Sequence, residues 1–275
     1  MFDLQDPSPL AYLKQLNPAN RYSGVAETTI ENFKPQASTL DRNSIKVLSW
    51  NIAKNNYSPR WRADFQAIVE QYQPDKIFLQ EVRLCTIDRY IPELASMGWS
   101  FAPNLIDNWH NAYSGVLTAT KGDRLESQAI ITEHQEPVTN TPKVSLFVKY
   151  TLASEQTLLT VNTHLINFVE TSKFQAQLQT IETVVAKHQG AVILSGDFNT
   201  WNLTRWVLLS EMTKRLGLTP VAFPWIEAQK IKRFLLSPPL DYIFYRGLKQ
   251  KSPSAKVIDH FDSSDHNPLL AEFYF

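Results

Sequence analysis

Short apolar runs alternate with amphipathic stretches along most of the chain, and this pattern predicts alternating strands and helices. Ile45–Trp50 and Lys76–Gln80 are predicted as strands, and the second strand delivers Glu81 at its end. Trp61–Tyr72, which lies between them, has apolar residues at helical spacing, and Thr86–Met97 is predicted as a second helix. This order of elements indicates an α/β protein.

Four further strands are predicted in the middle of the chain, and their succession is typical of an antiparallel sheet. Residues 121–123 read Lys-Gly-Asp and are predicted to form a hairpin turn between the first two of them. The four strands are Gly115–Thr120, Arg124–Glu133, Val144–Leu152 and Thr157–His164.

The last third of the chain mixes both kinds of element. Phe174–His188 and residues 203–216 are predicted as helices. Ala191–Leu194, Leu240–Tyr245 and Leu269–Phe275 are predicted as strands. Two halves rich in strand–helix units, each contributing a mostly antiparallel or mixed sheet, are expected to pack as a sandwich with the helices outside.

Residues 1–44 differ from this pattern and are predicted to form a peripheral arm, with residues 45–275 as the main domain. The arm contains four prolines and one short helical candidate, Leu10–Leu16. Its first residues lack the basic region and apolar run of a secretory signal. Because no apolar run approaches the roughly 18 residues that span a bilayer, we expect a soluble, cytoplasmic protein.

Charge and cysteine content narrow the class of protein. The 275 residues include 27 basic and 27 acidic side chains, so the formal net charge is zero. Proteins dedicated to duplex DNA usually carry a basic excess, because their affinity depends on neutralising phosphates, and any such surface here must be local. Cys85 is the single cysteine, which excludes an intrachain disulfide and a thiolate zinc cluster.

Acidic residues follow two of the apolar runs, where strands end and sites are commonly built. Glu81 could hold a divalent cation, because Mg²⁺ needs only one or two protein carboxylates, or it could cap a loop. Asp197 and Asn199 are two positions apart, so both lie on one face of an extended segment and could orient water and a phosphoryl oxygen. Equally, they could form an Asx turn entering the next helix.

Two histidines are candidates for acid–base chemistry. His164 ends a predicted strand, where it could donate to a phosphate or protonate a leaving oxygen. His266 follows Asp265, but neighbours in sequence do not readily pair, so His266 needs another carboxylate, and Asp241 is the candidate. His134, His188 and His260 are predicted to be surface residues, whereas possible phosphate contacts are Arg83, Lys143 and Arg205.

Six short motifs occur in order along the chain: Trp50-Asn51, Gln80-Glu81, Asn162-Thr163-His164-Leu165, Gly196-Asp197-Phe198-Asn199, Leu240-Asp241-Tyr242 and Ser264-Asp265-His266. Their order and spacing resemble the endonuclease/exonuclease/phosphatase superfamily over residues 45–275. Within that superfamily, the chain is similar to the bacterial YafD-like branch. The resemblance implies an α/β fold, a four-layer sandwich of two packed mixed sheets flanked by helices, with the site at one end of the sheets.

The resemblance also implies roles for individual residues. Glu81 would be the principal Mg²⁺ ligand, with Asn51 and Asp265 nearby as direct or water-mediated ligands. Asp197 would position or deprotonate the attacking water, and His266, oriented by Asp241, would stabilise the transition state or act as the acid–base group. Which of Asp197 and His266 is the base stays open. Hydrogen bonds to the phosphoryl oxygens would come from Asn199 and His164, and further substrate contacts from Asn167, Lys143 and Arg205.

The chain departs from one branch of this superfamily at two positions. Abasic-site endonucleases carry an aspartate two residues after the first-motif asparagine, where this chain has Ala53. This difference favours one bound metal over two, and the number of metals stays open. His164 stands where that branch has a tyrosine. A histidine at this position is closer to the pattern of DNase I and the sphingomyelinases.

The leading hypothesis is a monomeric, Mg²⁺-dependent phosphodiesterase that hydrolyses nucleic acid by in-line attack of water, with Mn²⁺ as an alternative metal. Residues 229–251 contain six basic side chains against one acid, and aromatic residues near the motifs could stack on bases. The alternatives are a phosphoesterase for a lipid headgroup or a small phosphate metabolite, and a binding module that has lost catalysis. No stable membrane association is expected. The aromatic candidates are Trp109, Tyr113, Trp201 and Trp206.

Overall fold

Two β-sheets packed face to face form the centre of the protein in the computed structural model, which describes residues 21–33, 40–41, 43–137, 139–152 and 156–275. Helices cover the outer faces of both sheets. The covering helices are α1 (Pro59–Tyr72), α2 (Thr171–Ala186) and α3 (Leu203–Arg215). A further single turn, α4 (Trp225–Ala228), has no buried residue.

The strands of the described residues fall into a first sheet of nine and a second sheet of six. The first comprises β1 (Tyr22–Ser23), β2 (Ile30–Asn32), β3 (Ile45–Asn51), β4 (Lys76–Cys85), β5 (Gly98–Asp107), β6 (Ala112–Thr120), β13 (Lys249–Gln250), β14 (Lys256–Val257) and β15 (Leu269–Tyr274). The second comprises β7 (Arg124–Ile131), β8 (Val144–Thr151), β9 (Thr157–His164), β10 (Ala191–Asp197), β11 (Thr219–Pro220) and β12 (Asp241–Arg246).

Both sheets are mixed. The first runs β1-β5-β6-β4-β3-β15-β13, with β2 added to β5 and β14 added to β15, and its single parallel pair in the described chain is β3 with β4. The second runs β11-β12-β10-β9-β8-β7, and β9 is parallel to β10. Parallel neighbours end at the same edge of a sheet. Therefore the carboxyl ends of β3 and β4, and those of β9 and β10, deliver their last residues together.

Alternation along the strands sorts side chains between three apolar layers. In β3, Val47 packs between the two sheets, whereas Leu48 and Trp50 pack under α1. In β10, Ile193 packs between the sheets, whereas Val192 and Leu194 pack under α2 and α3. Helix, sheet, sheet and helix thus form four layers, which confirms the fold expected from the sequence. By the same alternation, the last residues of β3 and β10 face the space between the sheets.

Helix α1 shows how the sequence fixes an outer layer. It begins at Pro59, whose missing N–H is not needed in a first turn, and ends before Gln73, which adopts a left-handed φ of 49°. Trp61, Phe65 and Ile68 are buried against the first sheet, and Trp61 stacks on Trp50 with ring centroids 5.8 Å apart.

Two sequence predictions about elements were wrong. Thr86–Met97 is not a helix: β4 continues to Cys85, and a 3₁₀ turn, Pro92–Leu94, is the only helical element there. Residues 121–123 are not a hairpin, because β6 and β7 belong to different sheets and this segment crosses between them. Alternation of apolar and polar residues predicts a strand with two different faces, but it does not predict which sheet the strand joins.

The described part of the N-terminal arm is attached to the edge of the first sheet. Both β1 and β2 pair with β5, and Arg21 forms an ion pair of 3.2 Å with Asp107. Tyr113 donates its hydroxyl to Glu27 over 2.7 Å. The helical candidate Leu10–Leu16 lies outside the described residues.

Candidate active site

An open, polar cavity of about 330 Å³ lies where the strands of both sheets end. Motif residues on its wall are Glu81, His164, Asp197, Asn199, Asp265 and His266, which come from four separate segments of the chain. Asn162 joins the two sheets next to it: its amide accepts from Gln80 over 2.7 Å and donates to the carbonyls of Leu79 and Leu117. This buried amide network fixes the two sheets against each other beside the cavity.

Glu81 reaches the cavity through a β-bulge and not from a strand end. The pairing of β4 with β6 shifts register between Leu79 and Val82, and Glu81 has a left-handed φ of 55°. A bulge re-aims the side chain of the extra residue. The predicted position of Glu81 at the end of its strand was therefore wrong, although its carboxylate does face the cavity.

The structure brings His266, Asp241 and Asp197 together. His266 donates from Nδ1 to Asp241 Oδ2 over 2.7 Å, and its Nε2 lies 3.9 Å from Asp197 Oδ2. Trp50 fixes this loop by donating from Nε1 to the His266 carbonyl, and Ser264 donates to the Asn51 carbonyl. The bond from Nδ1 to Asp241 thereby fixes the orientation of the imidazole, with Nε2 directed towards the cavity.

Burial and mutual charge shift the protonation of this group. Burial raises the pKa of Asp197 to about 7, although the imidazole of His266 acts in the opposite direction. Burial also opposes protonation of His266, but the carboxylates of Asp241, Asp197 and Asp265 together outweigh it and raise the pKa of His266 to about 10. His266 is therefore an imidazolium at neutral pH, which makes it a donor.

His164 and Asn199 stand on either side of Asp197. Nε2 of His164 lies 3.6 Å from Asp197 Oδ2 and 3.9 Å from Glu81 Oε1. Burial, with the charge of Lys143, holds the pKa of His164 well below its usual range, so these contacts involve a neutral imidazole. The backbone N–H of Asn199 donates to Asp197 over 2.9 Å, and its amide donates to the Leu165 carbonyl over 2.8 Å.

Asn51 lies between the two acidic residues of the cavity. Its amide donates to Asp197 over 3.0 Å and approaches Glu81 at 3.5 Å, while its oxygen accepts from the Ala53 N–H. In this orientation Asn51 holds two carboxylates near each other, and its oxygen is turned away from them.

Several side chains of the site offer ligand atoms to a metal ion. Asp197, Asp241 and His266 have ligand atoms within 4.8 Å of one another, and such a buried group could bind a metal ion. The bond between Asp241 and Nδ1 of a protonated His266 competes with that arrangement. Glu81, whose carboxylate is directed into the cavity, fits a hard divalent cation better, because such an ion prefers carboxylate oxygen and water.

Asp265 lies at the mouth of the cavity and is largely exposed. Its carboxylate forms an ion pair of 3.3 Å with Lys232, and it is not part of the group formed by Asp197, Asp241 and His266. A water-mediated contact to a metal agrees with this position better than a direct one, since the carboxylate is exposed and paired with a lysine.

Two of the predicted substrate contacts lie on the cavity wall. Lys143 forms an ion pair of 3.4 Å with Glu136, which also accepts from the backbone N–H of Asn167. The oxygen of the Asn167 side chain accepts from Trp201 Nε1 over 2.8 Å, which leaves its NH₂ group to reach a substrate. Phe168, 64% exposed, lines the cavity and contacts Trp201 with ring centroids 6.3 Å apart.

Arg205, the third predicted contact, has a different position. Only 1% of it is exposed, and its guanidinium donates to the carbonyls of Ile166, Val169 and Asn199. Burial lowers the pKa of Arg205 to about 10. It holds the segments that carry Asn167 and Asn199, so the structure makes Arg205 a positioning residue and not a phosphate contact. The sequence alone does not show whether an arginine on a helix is exposed to solvent or buried in the protein.

The expected basic surface of residues 229–251 does not form as a continuous patch. Lys230, Lys232 and Lys251 are each paired with carboxylates, and Arg246 donates to two carbonyls. Of the aromatic candidates, Tyr113 is buried and hydrogen-bonded, whereas Trp201 lies next to the cavity. Local sequence charge was misleading because all of these carboxylate partners except Glu227 come from distant segments.

Some residues of the site are not singled out by the sequence. Lys54, Glu136 and Tyr22 line the cavity. Gln177 on α2 donates to the His164 carbonyl and accepts from the Ile166 N–H, which fixes the turn after β9. Gln177 interrupts the apolar face of α2 next to Leu178, and such a polar residue on a buried face is a signal that could have identified it.

The four-layer fold, together with carboxylates and a His–Asp pair at one end of the sheets, defines a phosphoesterase-type site. The family model described as the endonuclease/exonuclease/phosphatase family matches residues 48–266. The chain belongs to this family of hydrolases and has its phosphoesterase fold.

Relatives and solved structures agree with this assignment. A UPF0294 protein of Vibrio parahaemolyticus is 32% identical over 241 residues, which are 86% of this chain and 80% of that protein. The catalytic domain of human Nocturnin with bound sulfate has a TM-score of 0.63 at 19% identity, covering 90% of this chain and 97% of that one. TDP2 of D. rerio, complexed with a single-strand DNA product, has a TM-score of 0.57 at 18% identity, covering 84% and 99%.

Within the described part of the chain, no helix has both the length and the apolar character needed to cross a lipid bilayer.

Proposed function

We propose that the protein is a phosphodiesterase that uses a divalent cation, Mg²⁺ or Mn²⁺, to hydrolyse nucleic acid phosphodiester bonds. The observation that carries the proposal is the grouping of Glu81, Asp197 and an Asp241-oriented His266 around one open cavity. A cation held by Glu81, with Asn51 and Asp265 nearby, would polarise the phosphate and offset its negative charge.

The side chains of the cavity supply the remaining chemistry. Asp197, aligned by the Asn199 N–H and the Asn51 amide, positions the attacking water and accepts its proton. His266, held by Asp241, donates from Nε2 to the phosphoryl group as charge develops on it. His164 presents a neutral imidazole to the same space. This arrangement provides a proton acceptor, Asp197, and a proton donor, His266, in one cavity.

An aromatic surface beside the cavity favours a nucleic acid substrate. Phe168 is exposed on the wall, and Trp201 packs against it with its indole N–H fixed by Asn167. An exposed aromatic ring next to a phosphate site can stack on a base, and this stacking tolerates different sequences. The proposal agrees with a solved relative of the same fold, TDP2, that holds a DNA product.

A second candidate, a phosphoester at a lipid surface, is favoured by one observation. Phe234 lines the cavity mouth, and the adjacent Leu235 and Leu236 are 92% and 94% exposed. The pattern of residues 234–236 does not by itself predict this exposed apolar turn. Exposed apolar side chains next to lysine are suited to the interface of an anionic bilayer. Cleavage of lipid instead of DNA would make this the function.

The test is hydrolysis by the purified protein with Mg²⁺ or with EDTA. The substrates are plasmid DNA, an abasic-site duplex, sphingomyelin in vesicles and an inositol polyphosphate. We expect metal-dependent cleavage of DNA that falls roughly 10²–10⁴-fold in His266→Ala. His260→Ala is the matched control, since His260 lies in an exposed loop and packs on Phe261. DNA that stays intact while another ester is cleaved would reject the nucleic acid substrate.

A further inference from the structure

Lys54 is placed in the cavity by an unusual stretch of backbone. It follows β3, and both Ala53 and Lys54 have left-handed φ angles, of 48° and 62°. Non-glycine residues rarely adopt this conformation without support from their surroundings. Here the Ala53 N–H donates to Asn51 over 3.0 Å, and the Lys54 N–H donates to the Glu81 carbonyl over 2.9 Å. The turn therefore fixes Lys54 beside the bulge that carries Glu81.

The side chain of Lys54 lines the main cavity and also a smaller recess next to it. Both spaces are bordered by Glu81, Lys143 and His164 as well. Lys54 is thus close to the carboxylate and the neutral histidine of the site, and not at its outer rim.

Lys54 differs from the other two lysines of the cavity wall in its charge partners. Lys143 is paired with Glu136 at 3.4 Å and Lys232 with Asp265 at 3.3 Å. For Lys54, by contrast, no carboxylate oxygen lies within 4.0 Å of its ammonium among the residues that the structure describes. Its positive charge is therefore the one least neutralised by protein at the cavity.

A positive charge at this position suits the charge balance of the cavity. A phosphodiester is an anion, and it has to enter a space whose wall already contains the carboxylates of Glu81 and Asp197. An ammonium in this partly buried position attracts the phosphate more strongly than the same group would in water. It also donates charge-assisted hydrogen bonds to non-bridging oxygens.

We propose that Lys54 is a substrate-binding residue whose ammonium donates to a non-bridging oxygen of the scissile phosphate and stabilises the charge that develops there. This inference rests on the proposed function, because it assigns Lys54 to the same site. It adds a group that the six sequence motifs do not include.

The test uses Lys54→Met, which keeps the length of the side chain but removes its charge, and Lys54→Arg, which keeps the charge. The matched control is Lys121→Met, because Lys121 is paired with Asp75 near the opposite end of β4. Binding of inorganic phosphate is measured by isothermal titration calorimetry in EDTA. Hydrolysis of bis(p-nitrophenyl) phosphate is measured with Mg²⁺.

We expect phosphate binding to weaken roughly 10- to 100-fold in Lys54→Met, as for loss of one charged hydrogen bond. The kcat should fall roughly 10²–10³-fold, as for loss of one donor to a developing oxyanion. Lys54→Arg should retain most of the phosphate affinity, and Lys121→Met should match the wild type in both assays. Unchanged thermal unfolding of Lys54→Met would show that its fold is intact.

The phosphate titration separates this inference from the proposed function. If the wild type binds phosphate but hydrolyses no diester, the proposed function fails, and a loss of binding in Lys54→Met still supports the anion site. A folded Lys54→Met with wild-type phosphate affinity and kcat would overturn the inference. A wild type that shows no saturable phosphate binding would also overturn it.

Discussion

Arg205 gives the sharpest test of how the site is held together. Its buried guanidinium donates to the carbonyls of Ile166, Asn199 and Val169 at 2.8, 3.2 and 3.1 Å, and it lies over the rings of Phe174 and Trp201. If Arg205 is replaced by Met, the apolar volume is largely kept, but the three carbonyls lose their donor. We therefore expect lower stability and a displaced Asn167 and Asn199.

The expected size of the effect follows from opposing contributions. Each buried carbonyl that loses its partner costs about 1–3 kcal/mol, and the lost contacts with the two rings add about 0.5–2 kcal/mol. Against this, the variant no longer buries a charge, which returns several kcal/mol. We expect a net loss of about 2–4 kcal/mol in the free energy of unfolding. For a domain of this size that lowers the Tm by roughly 5–15 °C.

Urea and thermal unfolding measure this loss, and Arg215→Met is the control from the same helix. Arg215 is exposed and paired with Glu182, so its removal should cost less than about 1 kcal/mol. In Arg205→Met the kcat for bis(p-nitrophenyl) phosphate should fall together with stability. The reasoning would be refuted by unchanged unfolding combined with a raised KM and a normal kcat. That result would mean that Arg205 contacts the phosphate directly.

Three further predictions concern the metal, the strand that carries Asp197 and the attachment of the arm. Glu81→Gln should shift the Mg²⁺ titration of activity to much higher concentration, and an unchanged titration would exclude Glu81 as a ligand. Gly196→Ala should lower the free energy of unfolding in urea by about 3 kcal/mol or more, because Gly196 has a φ of 151° and an added Cβ would lie 1.9 Å from the Thr163 carbonyl oxygen. Wild-type stability of this variant would contradict this close packing. Burial raises the pKa of Asp107, but Arg21 and His110 outweigh burial and lower it. Ionised Asp107 therefore stabilises the folded protein above its unfolded pKa, and this contribution is lost as the pH falls through its folded pKa. Asp107→Asn should therefore be less stable than the wild type at pH 7, with a difference that shrinks in acid, and a constant difference would exclude this linkage.

The predicted helices and strands were confirmed where the local apolar pattern matched the packing of the element in the fold. β3, β9, α1 and α3 lie close to their predicted bounds, because their apolar faces are each buried by one neighbouring layer. Thr86–Met97 failed because its apolar residues occur at a spacing compatible with a helix, yet Pro92 and the continuation of β4 leave room only for a 3₁₀ turn. β5 was missed altogether, although it is buried along almost its whole length.

Charge was the least predictable property from the sequence. The six basic residues between 229 and 251 suggest a nucleic-acid surface, but several find carboxylates that are distant in the chain, such as Glu272 for Lys251. In the sequence, Arg205 cannot be distinguished from an exposed arginine. Only its packing under the turn after β9 shows that it is buried. Ion pairing depends on neighbours in space, which a one-dimensional pattern does not record.

The sequence by itself determined the family and the layered α/β class, and it predicted Glu81, Asp197, Asp241 and His266 as site residues from short motifs that occur in order along the chain. Only the tertiary structure decided how these residues act together. The bulge that aims Glu81, the 2.7 Å contact between Asp241 and His266, and the position of Lys54 all depend on contacts between segments far apart in the chain. Local pattern fixes which face of a strand a residue occupies, whereas distance, burial and the resulting pKa values arise only when the two sheets pack.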